Sequence, residues 1–406
     1  MGWYDYVAWA VIAAQLLFLY NAVRNYRYAV AKHTRRARPA YQPSATIIIP
    51  CKGLDADFHT NIESFFQQDY GRYALYFVVQ EESDPAYRAL HEIAKRMRPI
   101  SPARDVQILV AGLASGSSQK IHNLLYAFHR IPADTEILAF ADSDVCAPTD
   151  WLGRLAWPLR RPKCGVATGY RWFVPARNNL ATLGLSAVNG GVAQLLGNNR
   201  FNHAWGGSMA VRVADFRRLG LPALWERTLS DDLSLSQAVK KAGMSVIFVP
   251  SCLVASYEST TWGQLYEFCR RQFLITRVYA PLTWWLGLLS SLGSVLGLWG
   301  TAALAAYAWT IGAPHRLFYL AVPVLSLVSQ LVRVLLRQSM IARLLGEQAL
   351  STRLATYADV LGFWFWSLLQ LIFILSSAWG RTICWRGIRY RLTSPTDIEI
   401  LSDEAG

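Results

Sequence analysis

The feature that most constrains this chain is where its apolar residues fall. They make up 53% of its 406 residues, yet they gather at the N-terminus and across the last third. The middle has the mixed texture of an α/β domain. Between Val7 and Val23 only Gln15 and Asn21 are polar, which is enough apolar length for a helix to cross a thin or untilted bilayer. Three further apolar segments run from about Pro281 to Ile311, Leu317 to Leu336 and Tyr357 to Trp379. Such a chain is expected to hold a polar domain between membrane segments.

Charge supports the same reading. The net charge is +13, which suits nucleic acid, an anionic membrane surface or an acidic substrate. Here Arg24, Arg27, Lys32, Arg35, Arg36 and Arg38 follow the first apolar segment, and Arg381, Arg386, Arg389 and Arg391 follow the last. That placement favours a membrane surface. No zinc-finger spacing or aromatic RNA-binding signature is present, so no nucleic-acid partner is expected. Cys51, Cys146, Cys164, Cys252, Cys269 and Cys384 form no C-x-x-C pair, which points to reduced cytosolic thiols and not to a disulfide framework or structural zinc.

Trp3, Tyr4 and Tyr6 precede the first apolar run and the arginines follow it. This reads as an uncleaved anchor with its N-terminus outside and the next segment cytosolic. Four full crossings then put the Arg-rich tail outside, against the positive-inside tendency. A re-entrant or interfacial last segment, or an exception to that tendency, reconciles the two.

The expected organisation is an anchor at residues 1–24, a cytosolic catalytic domain at 25–261, an amphipathic helix at 262–280, membrane segments at 281–379 and a basic tail at 380–406. Within the middle, strands are expected at Thr46–Ile49, Leu75–Val79, Val106–Val110, Ile137–Ala141 and Val246–Val249. Helices are expected at Asn61–Gln68, Ala86–Met97, Ile121–His129 and Leu233–Ala242. The alternation argues for a mostly parallel sheet covered by helices, with ligands beyond the carboxyl ends of its strands. Trp262–Tyr279 carries Arg270, Arg271 and Arg277 among aromatics, as a helix lying in the interface plane does. Arg337–Thr356 reads as a polar cytosolic connector.

The strongest chemical signal is the apolar run Ile137–Ala141 ending in Asp142-Ser143-Asp144. On extended backbone, acids two apart point the same way, and paired oxygens there suit a hard divalent cation carrying phosphates. Asp-x-Asp is also common in solvated loops. Asp231-Asp232 opens a helix, so one acid is explained by capping, by Ser230 or Asp231, and the other is a candidate general base. Asp84, before Pro85, is equally a helix N-cap. Lys120 is placed to reach phosphate, although the loop before it lacks Walker A spacing. The seven histidines show no metal spacing.

Together these acids resemble the three-aspartate layout of inverting nucleotide-sugar glycosyltransferases. The chain as a whole resembles the ceramide glucosyltransferase family, the family-21 lipid enzymes within the family-2-like superfamily that includes processive polysaccharide synthases. The matching residues are Ile49-Pro-Cys-Lys-Gly53, Asn61-Ile-Glu-Ser-Phe-Phe66, Val79-Gln80 with Asp84-Pro85, Gln119-Lys-Ile-His-Asn-Leu124 and Asp142-Ser143. They continue with Gly206-Gly-Ser208 and Arg212, Ser230-Asp-Asp232, Ser377-Ala-Trp379 and Cys384 to Leu392. Each piece is nonspecific; their order is specific.

The resemblance implies an α/β fold of the GT-A, Rossmann-like type with N- and C-terminal transmembrane helices. It implies a nucleotide-sugar donor such as UDP-glucose, a ceramide-like lipid acceptor and Mg²⁺ or Mn²⁺. By position it puts Lys52, Asp84 and Lys120 at the nucleotide, Asp142 and Asp144 at the metal and diphosphate, Gly206, Gly207 and Ser208 near the sugar, and Asp232 as base. One departure stands out. Where the family carries Arg/Gln-x-x-Arg-Trp, this chain has Arg271-Gln-Phe-Leu274-Ile275. Arg271 is then expected at the diphosphate, with Leu274 and Ile275 facing lipid or the acceptor chain. Headgroup binding by Arg270, Arg271 and Arg277 is the alternative. A hopanoid or diacylglycerol acceptor, a processive synthase and a non-catalytic binder are the rival readings.

Overall fold

The computed structural model describes residues 3–33, 41–55, 57–346 and 352–401. Helix α1 (Trp3–His33) leads into an α/β domain of β1 (Ala45–Pro50), α2 (Phe58–Phe66), β2 (Tyr73–Val79), α3 (Pro85–Met97), β3 (Asp105–Val110), α4 (Gln119–Phe128), β4 (Ile137–Ala141) and α5 (Trp151–Ala156). It continues with β5 (Cys164–Pro175), α6 (Leu180–Ala193), β6 (Ser208–Arg212), α7 (Val213–Arg218), α8 (Leu221–Trp225), α9 (Asp231–Lys241) and β7 (Ser245–Glu258). Then come α10 (Trp262–Tyr279), α11 (Pro281–Val295), a π turn at Leu296–Gly300, α12 (Thr301–Thr310), α13 (Arg316–Leu345) and α14 (Arg353–Ser376). The described chain ends in β8 (Thr382–Trp385), β9 (Ile388–Ser394) and β10 (Asp397–Leu401).

Seven strands form one sheet in the order β3-β2-β1-β4-β6-β5-β7, parallel except where β6 pairs antiparallel with β4 and β5. The central strands are continuous apolar runs because both faces are covered. Alternation then sorts them. Ile47 and Ile49 pack with Phe65, Leu90 and Trp151 on one face, and Ile48 packs with Leu124, Phe216 and Trp225 on the other. Each such burial stabilises by about 1.5–3 kcal/mol relative to exposure.

Among the described residues, four helices are long and apolar enough to cross a membrane: α1, α11 with α12, α13 and α14. Only 17% of the most apolar window of α1 is buried, so Trp9, Leu16, Leu17 and Tyr20 face outward, a surface that hydrocarbon solvates and water does not. Helices α1 and α13 run side by side in the same direction, from Tyr319 Oη on Asp5 (2.6 Å) to Tyr26 Oη near Ser339 Oγ (3.3 Å). Past the apolar run, α1 docks on the α/β domain: Asn25 Nδ2 donates to the Gln194 carbonyl (3.0 Å) and Tyr28 Oη to that of Phe248 (2.8 Å).

The expected polar connector at Arg337–Thr356 is corrected. Helix α13 runs on through Leu345, because Arg337 is not solvated but buried against Asp359 of α14; residues 347–351 lie outside the described residues. Both ends of α14 are held on the α/β side. Asp359 is tied to Arg337, whose stem lies against Gly190 of α6, and Trp284 Nε1 donates to Ser377 Oγ at 2.8 Å. The tail therefore returns to the α/β domain, where β8, β9 and β10 form an antiparallel sheet.

Candidate active site

The site forms beyond the carboxyl end of β4. Strand β6 enters antiparallel with Ser208 opposite Ala141, which brings Gly206 and Gly207 to the same edge as Asp142. Ser118 caps α4, its hydroxyl accepting from Ile121 N at 3.3 Å, and this puts Lys120 on the first turn. Ser230 caps α9 by accepting from Leu233 N at 3.2 Å. Neither acid of the Asp231-Asp232 pair is therefore the N-cap, and both side chains point into the site.

Lys120 Nζ lies 2.8 Å from Asp142 Oδ1 and 3.2 Å from Asp231 Oδ2. Arg171, from the middle of β5, reaches Asp144 Oδ2 at 3.0 Å and stacks on the ring of Phe173. Asp232 Oδ1 accepts from Ser230 Oγ (2.6 Å) and Leu233 N (2.7 Å), and its Oδ2 accepts from Gly206 N (3.2 Å). A Cβ on Gly206 would lie 2.4 Å from Asp231 Oδ2, and one on Gly207 would lie 2.7 Å from Asp142 Oδ2. Only glycine allows this approach.

The electrostatics separate otherwise similar acids. Burial opposes ionisation of Asp142, but Lys120 outweighs it and holds the carboxyl below its ordinary value. Burial raises Asp144, with Asp142 and Asp55 adding to the effect and Arg171 opposing it. Burial also pushes Asp231 up to about 6 against the pull of Lys120. Burial works against the Lys120 charge, yet Asp142 and Asp231 keep it firmly protonated. Opposed shifts among neighbouring acids are characteristic of functional sites.

The residues expected from the sequence take these places. Asp142, Asp144, Lys120, Asp232, Gly206 and Gly207 share this edge. Ser208 starts β6 and its hydroxyl is spent in the core, accepting from Trp151 Nε1 at 2.8 Å. Asp84 is the N-cap of α3, and its Oδ1 also accepts from Gly53 N at 2.9 Å. Lys52 Nζ donates to the Arg386 carbonyl at 3.0 Å. Arg271 Nη1 donates to the Cys384 carbonyl at 3.3 Å. Arg270 and Arg277 likewise donate to carbonyls between Ala378 and Thr382, where the chain leaving α14 has carbonyls without intrahelical partners. Leu274 and Ile275 do not face lipid: they are buried against Ile383, Tyr390 and Leu392 of the tail sheet. Arg171 and Asp55 were not legible as site residues, since neither lies in a quoted motif, and Arg386 stood only as one arginine of the run from Cys384 to Leu392, with no role attached.

A divalent cation fits the acids present. Asp144 Oδ1 is buried without a hydrogen-bond partner, and Gly207 leaves open the approach to Asp142 Oδ2. Among the described residues no cluster of three or more His, Cys, Asp and Glu could form an all-protein cage. Two carboxylates completed by substrate phosphates is the arrangement that Mg²⁺ commonly takes.

A family model described as glycosyl transferase family 21 matches residues 7–398. Ceramide glucosyltransferase 3 of Caenorhabditis elegans is 33% identical over 136 residues, 32% of this chain and 29% of that protein. Ceramide glucosyltransferase of Gibberella zeae is 27% identical over 138 residues, 32% of this chain and 26% of that one. The chain thus spans between a quarter and a third of the length of these relatives. Among solved structures, the mannosyltransferase PcManGT from Pyrobaculum calidifontis in complex with GDP-Man and Mn²⁺ matches with a TM-score of 0.49 and 16% identity, over 91% of this chain and 94% of that one. The α/β domain between N- and C-terminal apolar helices is the GT-A-type architecture that the resemblance implies.

Proposed function

This chain belongs to glycosyl transferase family 21, and from that premise we propose that it moves glucose from UDP-glucose to the hydroxyl of a ceramide-like lipid with inversion. One observation carries the reading: Lys120, Asp142, Asp144 and Asp232 meet two side-chain-free glycines at a strand edge, in a chain whose apolar helices pack on the same domain.

Asp232 takes the hydroxyl proton as the lipid oxygen attacks the anomeric carbon. The bond from that carbon to the diphosphate oxygen breaks, and the electron pair leaves with the nucleoside diphosphate. A single displacement inverts the centre and leaves no sugar on the protein. Hydrogen bonds from Ser230, Leu233 N and Gly206 N fix the Asp232 carboxylate. Lys120 sits where negative charge develops. Mg²⁺ or Mn²⁺ held by Asp142 and Asp144 would neutralise the diphosphate. The apolar helices present a lipid that diffuses in the bilayer, which supplies proximity. The α/β domain faces the cytosol, consistent with Arg24, Arg27 and Lys32 at the domain end of α1.

The test incubates the detergent-purified chain with a panel of nucleotide sugars and with ceramide, hopanoid and diacylglycerol acceptors, read by mass spectrometry. Glucosylceramide of β configuration from the α-linked donor is expected. Transfer only to another acceptor would replace ceramide. Retention of configuration would remove the single-displacement mechanism.

A further inference from the structure

The tail sheet brings a cation to this site from the far end of the chain. Ile383, Tyr390 and Leu392 pack on Leu229, Leu274, Ile275 and Tyr279, so the sheet seats on α10 beside the start of α9. The turn between β8 and β9 then meets the loop after β1. Lys52 Nζ donates to the Arg386 carbonyl at 3.0 Å, and Arg386 Nη1 donates back to the Lys52 carbonyl at 2.5 Å. Arg386 Nη2 lies 3.3 Å from both carboxylate oxygens of Asp55. Asp55 in turn accepts from Ser143 Oγ at 2.9 Å. The guanidinium therefore stands one carboxylate away from Asp142-Ser143-Asp144.

The positive φ of Arg386 (48°) and Gly387 (83°) is what the two-residue turn between Trp385 and Ile388 requires, and it fixes where the guanidinium emerges. One further observation points to an anion here: cations crowd this edge. Arg271 is half-buried and feels the charge of Arg171, its hydrogen-bonding partner a backbone carbonyl and its face near the rings of Phe268 and Trp385.

We propose that Arg386 is a ligand of the donor diphosphate, and that the β8–β9 turn forms one wall of the donor pocket. On donor binding the guanidinium exchanges the Asp55 carboxylate for the β-phosphate, a pairing that its planar fork suits. The inference rests on the nucleotide-sugar reading and adds to it a site residue more than three hundred positions from the β1 loop. Leu274 and Ile275 have a part in it: as apolar residues they form the seat of the sheet that presents Arg386.

The test is equilibrium binding of UDP and of UMP, with Mn²⁺, to the full chain in detergent. Arg386→Gln is expected to weaken UDP by about tenfold or more, as loss of a charge-assisted phosphate contact does, while UMP changes by less than about twofold. Arg386→Lys is expected to fall between, because a point charge replaces the fork. Asp55→Asn frees the arginine without removing it, and is expected to bind UDP at least as well as the parent. Equal losses of UDP and UMP in both Arg386→Gln and Asp55→Asn would make the turn a structural clamp and overturn the proposal. A parent chain that binds another nucleoside diphosphate but not UDP corrects the base, and the diphosphate–monophosphate contrast is then read on that nucleotide. A parent that binds no nucleoside diphosphate overturns both readings.

Discussion

Both halves of the molecule bury ion pairs, and the two sets are built differently. Between α13 and α14, Asp359 accepts from Arg337 Nη2 at 2.5 Å on Oδ1, and from Arg337 Nε at 2.9 Å and Gln338 Nε2 at 2.5 Å on Oδ2. Thr356 Oγ1 completes Gln338 at 3.0 Å. Both carboxylate oxygens have donors and the group is closed. Beyond β4, by contrast, Asp144 Oδ1 has no partner, two acids share Lys120, and glycines keep side chains away from the carboxylates. A closed cluster has nothing left to bind and acts on stability, since breaking a buried pair leaves a charge uncompensated. An open cluster keeps unspent bonding capacity for a ligand, and its removal acts on turnover.

The largest expected effect lies in the open cluster. Asp232→Asn should lower transfer by about a thousandfold, the middle of the range for a lost general base. Donor binding should hold within a few-fold and the melting temperature should hardly move. Steady-state kinetics and nucleotide titration on one preparation decide it. Near-normal turnover would remove Asp232 as base and leave Asp231, pushed up to about 6 by burial, as the acid to test.

The closed cluster should answer in the opposite way. Asp359→Ala is expected to cost about 3–5 kcal/mol of stability by stranding Arg337, while turnover per folded molecule stays close to that of the parent. Thermal unfolding in detergent against active-site-normalised rate makes the comparison. Parental stability in this variant would break the contrast, because the pair would then be dispensable.

Asp144→Asn sharpens the contrast from the metal side. Burial already disfavours the charge on Asp144, and asparagine keeps an amide oxygen for Arg171, so neutralising it should cost less stability than Asp359→Ala does. Transfer should fall by about a hundredfold, as it does when one transition-state contact is lost, and half-maximal rate should need more Mn²⁺. A chelator should stop the parent enzyme and added Mg²⁺ or Mn²⁺ restore it. Full activity in chelator would end the metal reading and leave Asp144 as the partner of Arg171 alone.

How much of this was legible depended on whether the signal was local. The runs around Ile47 to Ile49 and Ile137 to Ala141 announce buried strands by composition alone, and α10 matched its amphipathic stretch from Trp262 to Tyr279. Strand β5 was not seen because Gly165 and Gly169 interrupt its apolar pattern. Its glycines are needed where Val239 and the Cys252 carbonyl press close. The tail sheet was hidden differently. Ile388, Tyr390 and Leu392 alternate with Arg389 and Arg391, a strand period that reads as basic charge when only charge is counted. At the site, Asp142, Asp144 and Lys120 lie in short motifs, whereas Arg171 reaches Asp144 only because β5 crosses beside β6, and Arg386 reaches Asp55 only because the tail folds back.

Ser230 joins the two kinds of bond in one hydroxyl, and so gives the smallest but sharpest test. Its oxygen accepts from Leu233 N as the cap of α9, and it donates to Asp232 Oδ1 at 2.6 Å. Ser230→Ala removes both. Loss of the cap should cost about 1 kcal/mol of stability, less than the loss in Asp359→Ala. Loss of the second bond lets the Asp232 carboxylate turn, although Leu233 N and Gly206 N still hold it. Transfer should therefore fall by about tenfold, the scale of one net hydrogen bond. Ser230→Thr keeps the hydroxyl and should recover both properties, unless its extra methyl disturbs the packing. If Ser230→Ala loses stability and keeps its rate, the serine is a cap only and Asp232 is positioned by the backbone alone. If it loses rate and keeps stability, α9 does not depend on this cap, and Ser230 belongs with the open cluster.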